Sequence, residues 1–387
     1  RIRMIKELRA NQRNLETEVI ELTETLNQFK IRFIDLDMTV DAADQINAID
    51  EKIKELLEKQ KIYAEHERLF DFEAGNLRVL TKVVDEFRPL HTLWNLAIKW
   101  LQLKVQWTET PFLHTHPESM ITFVTTGLRK LSNVKNDLSQ QKILVDKVIN
   151  PLIEQMESLK AKMPLLTQLR HPGIKAVHWE QISTATGINI NPSIDMTLND
   201  FFSYNFERDN EAITKIANVA AEEYEIENSI EKMDQQLQQT IFEIVEFKGY
   251  NIVQYIGKIT TIVEEQIIST QTFPSSPFVK PCKDKAIDRL EFLKRSKVII
   301  EDWMKCQNTF VYICPLLCSG ESIRQLGRGT FAWSQVSTRW TDMMKSIALH
   351  PEFINVMHKE NFMDNLKEIE SDLETVSRGL NLFLDEK

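Results

Sequence analysis

The sequence predicts an all-α chain interrupted by one small β-hairpin, and three observations carry that expectation. Glycine is scarce, 10 of 387 residues or about 2.6%, against roughly 7% in ordinary soluble proteins. Proline is also low, at 12 residues. Tight turns and all-β architectures need glycine wherever the backbone takes positive φ, so this composition favours long helices joined by few loops. Apolar residues recur at steps of three and four through most of the chain, the helical period. The period changes at one place, Ile241 to Gly257, where β-branched and aromatic residues flank Lys248-Gly249 as in a hairpin.

The first element carries a heptad seam: Leu8, Leu15, Val19, Leu22, Leu26, Phe29, Phe33, Leu36 and Val40, once Gln12 is admitted. A second helix follows with Ile46, Ile49, Ile53, Leu56 and Leu57, then Leu69 and Phe70, after an acidic break at Asp41 to Asp44. The two are expected to fold back as a hairpin, and the alternative is a dimerising coiled coil. Between Phe87 and Trp107, Leu93, Trp94, Trp100 and Trp107 predict a heavily packed helical junction closed by a loop from Thr108 to Glu118. A long helix is expected from about Ser119 to Ala161, interrupted near Pro151.

Past Met163, Arg170 to Ser183 contains Pro172, Gly173 and then His178-Trp179, a short helix between long ones in which bulky packing fixes an angle. Asn210 to Gln239 reads as one amphipathic helix. After the hairpin, a loop from Ser269 to Pro281 holds three prolines, and a helix with Leu290, Leu293, Trp303 and Phe310 runs to Pro315. A second loop carries Gly320, Gly327 and Gly329. Helices resume around Trp333 and Trp340, and the last begins near Asn361 and runs through Leu384.

With 42% hydrophobic and 27% charged residues the chain is expected to fold, and its net charge of -10 argues against a nucleic-acid surface. Cys282, Cys306, Cys314 and Cys318 are too few for a disulfide scaffold and fit buried thiols in a reducing compartment. No uncharged apolar run approaches 18 residues, so no membrane partner is expected. The chain starts mid-helix and reads as a piece of something longer.

The sequence carries none of the common catalytic patterns. No glycine pair has phosphate-loop spacing, and Gly327-Arg-Gly329 lacks the third glycine of a dinucleotide fingerprint. His66-Glu67 lacks the second histidine of a zincin, and His116-Pro-Glu118 lacks the cysteines of a zinc deaminase. Cys314 and Cys318 have no second ligand pair nearby. The expectation is therefore no catalytic, metal or cofactor site in these residues.

Several stretches together resemble the linker region of dynein heavy chains: Leu93-Trp94 with Trp100 and Trp107; Met163 to Leu169; His171 to Ser183 with Gly187; Ala221 to Glu227; Ser276 to Pro281; and Trp303 with Gln307 to Leu317. The family usually writes the middle signature as Asn-Pro-Gly-Met-Arg-x-Arg-His-Trp and the later one as Gln-x-x-Trp-x-Tyr-Leu-Glu-Pro-Ile-Phe. This chain keeps His178, Trp179, Gln307, Tyr312 and Pro315, and departs at Val177, Phe310, Cys314 and Leu317 and again after Ser322, as a divergent member would. The Pro-Gly before His178 and the Ser276 to Pro281 stretch are most similar to axonemal inner-arm types.

The resemblance implies an elongated, arched stack of helical bundles lying across an AAA+ ring, a lever that bends and straightens as the ring turns over ATP. It divides the chain into a tail-proximal helical hairpin (1–88), the N-terminal half of the linker (89–240), the β-hairpin insertion with its following helix (241–268) and the C-terminal half leading into the first AAA+ module (269–387). ATP and magnesium are expected in that ring, downstream, with no cofactor in this segment. The implied partners are the ring in cis, tail-associated dynein chains, neighbouring axonemal complexes, and microtubules through the distal stalk. The implied location is the cytoskeleton, in a ciliary or flagellar axoneme, with cytoplasm the alternative. Lys248, Gly249 and Tyr250 at the hairpin tip are the candidate ring contact. The rival reading is a stand-alone helical scaffold or tether of the spectrin or coiled-coil class.

Overall fold

The computed structural model describes residues 2–69, 78–317 and 327–385, apart from the side chains of 383–385. Contacts divide it into two compact units, Arg1–Asn218 and Val219–Lys387, and the division falls inside one long helix. The division falls inside the expected segment 89–240 and not at one of the expected segment boundaries.

In the first unit, α1 (Ile2–Arg32) and α2 (Thr39–Leu69) pack as an antiparallel hairpin. Val19, Leu22, Leu26 and Phe29 share one buried cluster with Ala42, Ile46, Ile49, Ile53 and Leu56, so the heptad face is consumed within the chain. The seam is shorter than expected: Phe33 is buried, but Val40 is 53% exposed. The chain turns at 33–38 and not at the acidic stretch, because the Asp35 carboxylate accepts the Asp37 N–H at 3.2 Å and caps a 3-10 turn, Leu36–Met38. Asp41 and Asp44 lie inside α2, Asp41 in its first turn, where a carboxylate meets the positive end of the helix dipole. Phe70 lies outside the described residues.

The next helix, α3 (Arg78–Glu109), begins earlier than Phe87 and runs through Pro89. Proline removes one N–H from the ladder, a loss that packing of Leu90, Leu93 and Trp94 on the same cluster offsets. The helix expected from 119 to 161 is interrupted near Pro151, as expected, and once more before it: α4 (Pro117–Asp137) ends in a turn at 138–141, and α5 (Lys142–Leu144) passes through a π-turn (Val145–Ile149) into α6 (Asn150–Leu169). Pro151 falls in the first turn of α6, where a missing N–H costs least. Gly127 on α4 has a packing reason, since a Cβ there would stand 2.6 Å from Met156 Cε. The unit closes with α7 (Ala176–Thr186) and α8 (Leu198–Ser203).

After α9 (Asn210–Gln239), which enters the second unit at 219, come β1 (Glu243–Phe247) and β2 (Tyr250–Gln254), an antiparallel pair in the register Phe247 opposite Tyr250. Gly257, expected to end the hairpin, sits in the first turn of α10 (Ile256–Gln271). Part of the proline-rich loop is helical too, in two 3-10 turns, Phe273–Ser275 and Lys280–Cys282. Then follow α11 (Lys283–Leu317), α12 (Arg328–Leu349), α13 (Phe353–Met357) and α14 (Phe362–Asp385). Pro315 lies inside the last turn of α11, so it does not end the helix at its own position. Trp303, Phe310, Trp340, Ile369 and Leu373 share one core, and Cys282, Cys306 and Cys314 are buried thiols. Cys318, Gly320 and the stretch after Ser322 as far as Leu326 lie outside the described residues, whereas Arg328, Gly329 and Thr330 form the first turn of α12. The fold is all-α with one small hairpin, as expected.

Candidate functional site

The tryptophans expected to form a junction are in the core of the first unit. Trp94 is fully buried, edge-on to Phe29 and Phe33 at 6.4 Å from each, which ties α3 to α1. Its indole N–H has no partner among the described residues. Trp100 donates Nε1–H to Gln155 Oε1 at 3.1 Å, and it shares an aromatic cluster with Phe123 and half-buried Trp107.

His178 and Trp179 occupy a second joint, built around Phe112. The Phe112 N–H donates to Met196 C=O at 2.6 Å and Leu198 N–H donates to Thr110 C=O at 3.0 Å, a short antiparallel clasp between two loops. On the Phe112 ring sit Trp179, edge-on at 5.9 Å, and Phe201, stacked at 4.7 Å. The Arg170 guanidinium lies 5.7 Å over the same ring and donates Nη2–H to Leu113 C=O; burial pushes its pKa below the ordinary arginine value. His178 is buried and accepts the Lys175 backbone N–H on Nδ1 at 3.0 Å, closing the N-terminus of α7 as a capping side chain does. Both residues are anchors of a joint.

The second unit holds the hairpin in a seat that sequence reasoning did not foresee. Gln307, 7% exposed, accepts Val253 N–H on Oε1 and donates Nε2–H to Val253 C=O, both at 2.8 Å. The side-chain amide thus satisfies an edge residue of β2 as a neighbouring strand would. Trp340 donates Nε1–H to Asn251 C=O at 3.0 Å, and the Tyr250 hydroxyl lies 2.8 Å from Ser337 Oγ. Phe310 fills the centre, stacked on Trp340 at 4.7 Å and Trp333 at 5.5 Å, with Tyr250 edge-on at 5.1 Å. Trp303 is fully buried beside Phe242 and Phe362.

Of the candidate ring-contact residues, Tyr250 is therefore packed against its own helices, while Lys248 and Gly249 stand exposed at the turn. Their φ angles of 51° and 83° are those of a two-residue type I′ turn, which glycine adopts freely and lysine does not. Tyr312 is 72% exposed and Pro315 is also on the surface, so these signature residues take no part in the core.

Sequence reasoning also missed a buried ionic joint. Arg289, 8% exposed, pairs with Asp234 on α9 and donates to Gln266 Oε1 on α10, while Gln266 Nε2–H reaches Met233 C=O at 3.1 Å and Gln236 Oε1 at 2.7 Å. Desolvation pulls the Arg289 guanidinium down to about 10. The signal was present: Arg289 falls on the buried stripe Ala286, Leu293, Ser296 of α11.

Among the described residues no group of three or more His, Cys, Asp or Glu side chains is placed to hold a metal, and no helix is long and apolar enough to cross a membrane. An open groove of about 1510 Å³ on the first unit is lined by charges of both signs, of which Lys30 and Glu86 pair at 2.7 Å.

Comparison with known families gives a match to the model described as Dynein heavy chain, N-terminal region 2, over residues 80–387. The chain belongs to the dynein heavy-chain family. Dynein axonemal heavy chain 1 of Mus musculus is 25% identical over 383 residues, which is 97% of this chain and 9% of that protein. Dynein axonemal heavy chain 12 of Mus musculus is 25% identical over 392 residues, 98% of this chain and 12% of the relative. Dynein axonemal heavy chain 3 of Homo sapiens is 23% identical over 349 residues, 89% and 8%. This dynein heavy-chain segment thus spans about a tenth of the curated relatives it matches. Its departures from the family signatures fall in two environments: Val177 is 58% exposed, whereas Phe310, Cys314 and Leu317 are buried. A phenylalanine at 310 still stacks between two indoles, so the aromatic role survives the change.

Proposed function

We propose that this segment is the linker of a dynein heavy chain: a mechanical lever that changes its posture across an AAA+ ring and so turns the ring's ATP cycle into movement along microtubules in a ciliary or flagellar axoneme. The observation that carries the reading is the family match from residue 80 to 387, which runs through both compact units. A force-bearing element needs bodies that resist deformation, and long helices locked by buried tryptophans suit that need. In this reading residues 1–88 are the tail-proximal hairpin, 89–240 and 269–387 are the two halves of the lever, and 241–268 is an insertion whose tip, Lys248 and Gly249, touches the ring. Nucleotide and magnesium belong to the ring, and the lever binds neither. Partners beyond the ring are tail-associated chains, axonemal neighbours and, through the stalk, the microtubule.

The test is a distance. A donor fluorophore on exposed Ile194 and an acceptor on the ring of a motor-competent heavy chain should report two distances, one with ATP and one with ADP. A distance that stays fixed through the nucleotide cycle would contradict the lever.

A further inference from the structure

Strand β1 has an open edge from Ile244 to Glu246; just before it the same side is taken by the chain itself, where Phe242 N–H donates to Pro351 C=O at 2.8 Å. In an antiparallel pair, opposite residues alternate between those that exchange both backbone hydrogen bonds and those whose N–H and C=O point away from the partner strand. Asn251 and Val253 are of the second kind, because Gln307 meets both backbone groups of Val253 and Trp340 meets the carbonyl of Asn251. Their register partners are Glu246 and Ile244, whose N–H and C=O are therefore directed to the far side of the hairpin. Among the described residues no hydrogen bond reaches those four groups. Glu243 and Glu246 are exposed there, and neither forms an ion pair among the described residues.

We propose that the β1 edge accepts an added strand, an extended basic segment of a partner polypeptide that hydrogen-bonds to Ile244 and Glu246 and sets Lys or Arg side chains against Glu243 and Glu246. Strand addition gains its hydrogen bonds from an edge already held in extended form, and here the Gln307 amide closes the opposite edge and fixes the hairpin in place. Charge selects the occupant. Glu243 and Glu246 are three residues apart in the strand and so face opposite sides of the sheet, one carboxylate on each. A second copy of the same edge would add carboxylates to an edge that already holds two, which is unfavourable, whereas an added strand with lysines three apart sets one cation against each. The inference does not depend on the lever reading, and its failure would leave that reading intact.

The experiment uses the 387-residue chain and two labelled seven-residue peptides of Val and Thr, one with Lys at its second and fifth positions, the other with Glu there, with binding read by fluorescence anisotropy and the Ile244 and Glu246 amides followed by hydrogen exchange. The Lys peptide should bind, the Glu peptide should not, and exchange at both amides should slow on saturation. Glu246→Pro removes an outward N–H and leaves the inner ladder intact, so it should weaken the Lys peptide on the order of tenfold. The double variant Glu243→Lys with Glu246→Lys should reverse the preference, a readout that stands even if the proline variant melts early. Equal binding by Glu246→Pro, unaltered exchange at millimolar Lys peptide, or no reversal in the double variant would overturn the proposal. So would self-association of the chain that Glu246→Pro abolishes, since that assigns the edge to a second copy.

Discussion

Gln307 contributes to the hairpin seat by hydrogen bonding to the strand backbone. Gln307→Ala removes two hydrogen bonds and strands both backbone groups of buried Val253, which should cost about 2–4 kcal/mol in urea unfolding. Gln307→Leu keeps the volume but not the amide and should lose nearly as much; wild-type stability in that variant would show that packing alone holds the hairpin. The turn gives effects of opposite sign. Gly249→Ala forces a side chain into φ 83° and should destabilise by about 1 kcal/mol, while Lys248→Asn relieves φ 51° and should stabilise by about 0.5 kcal/mol. At Cys306 burial raises the thiol from 9.0 to about 12. Below pH 9 the thiol is neutral whether folded or unfolded. Above it only the unfolded chain ionises freely, so this residue's contribution to stability should fall between pH 9 and about 12, and Cys306→Ala should flatten that part of the profile.

Among the elements, the joint of α9, α10 and α11 is the most informative. Asp234→Ala leaves Arg289 buried without its charge partner and should cost about 2 kcal/mol, less than a fully buried pair because Asp234 is 33% exposed. Combining it with Arg289→Met should recover much of that loss, and a double mutant as unstable as the single would show that the pair adds net stability. The element boundaries show what a sequence does and does not disclose. The helices were legible because each keeps an apolar stripe at the helical period, and the hairpin was legible because the period changes on both sides of Lys248-Gly249. The first turn was misplaced because a run of aspartates looks like a break, whereas one local cap at Asp35 decides it. Pro89, Pro164 and Pro315 lie inside helices because tertiary packing outweighs one missing N–H. Pairing between Gln307 and a strand 54 residues away leaves no periodic trace at all. Its signature position made Gln307 visible without revealing its task.

For the whole molecule, Trp94, His178 and Trp179 are buried in the first unit and Trp303 in the second, and in the proposed lever such packing would stiffen each body. Tyr312 and Pro315 are on the surface, and nothing in the packing of the second unit explains their place in the signature. Lys248→Glu in a motor-competent chain should slow microtubule gliding without lowering the melting temperature of the segment, because the side chain is exposed at the tip. Unchanged gliding would remove the tip from the ring contact while leaving the lever in place. The lever itself is tested by removing residues 1–218 from a motor-competent heavy chain and measuring gliding velocity beside ATP turnover. The account predicts that turnover continues while velocity collapses; gliding at the full rate on the shortened chain would contradict it.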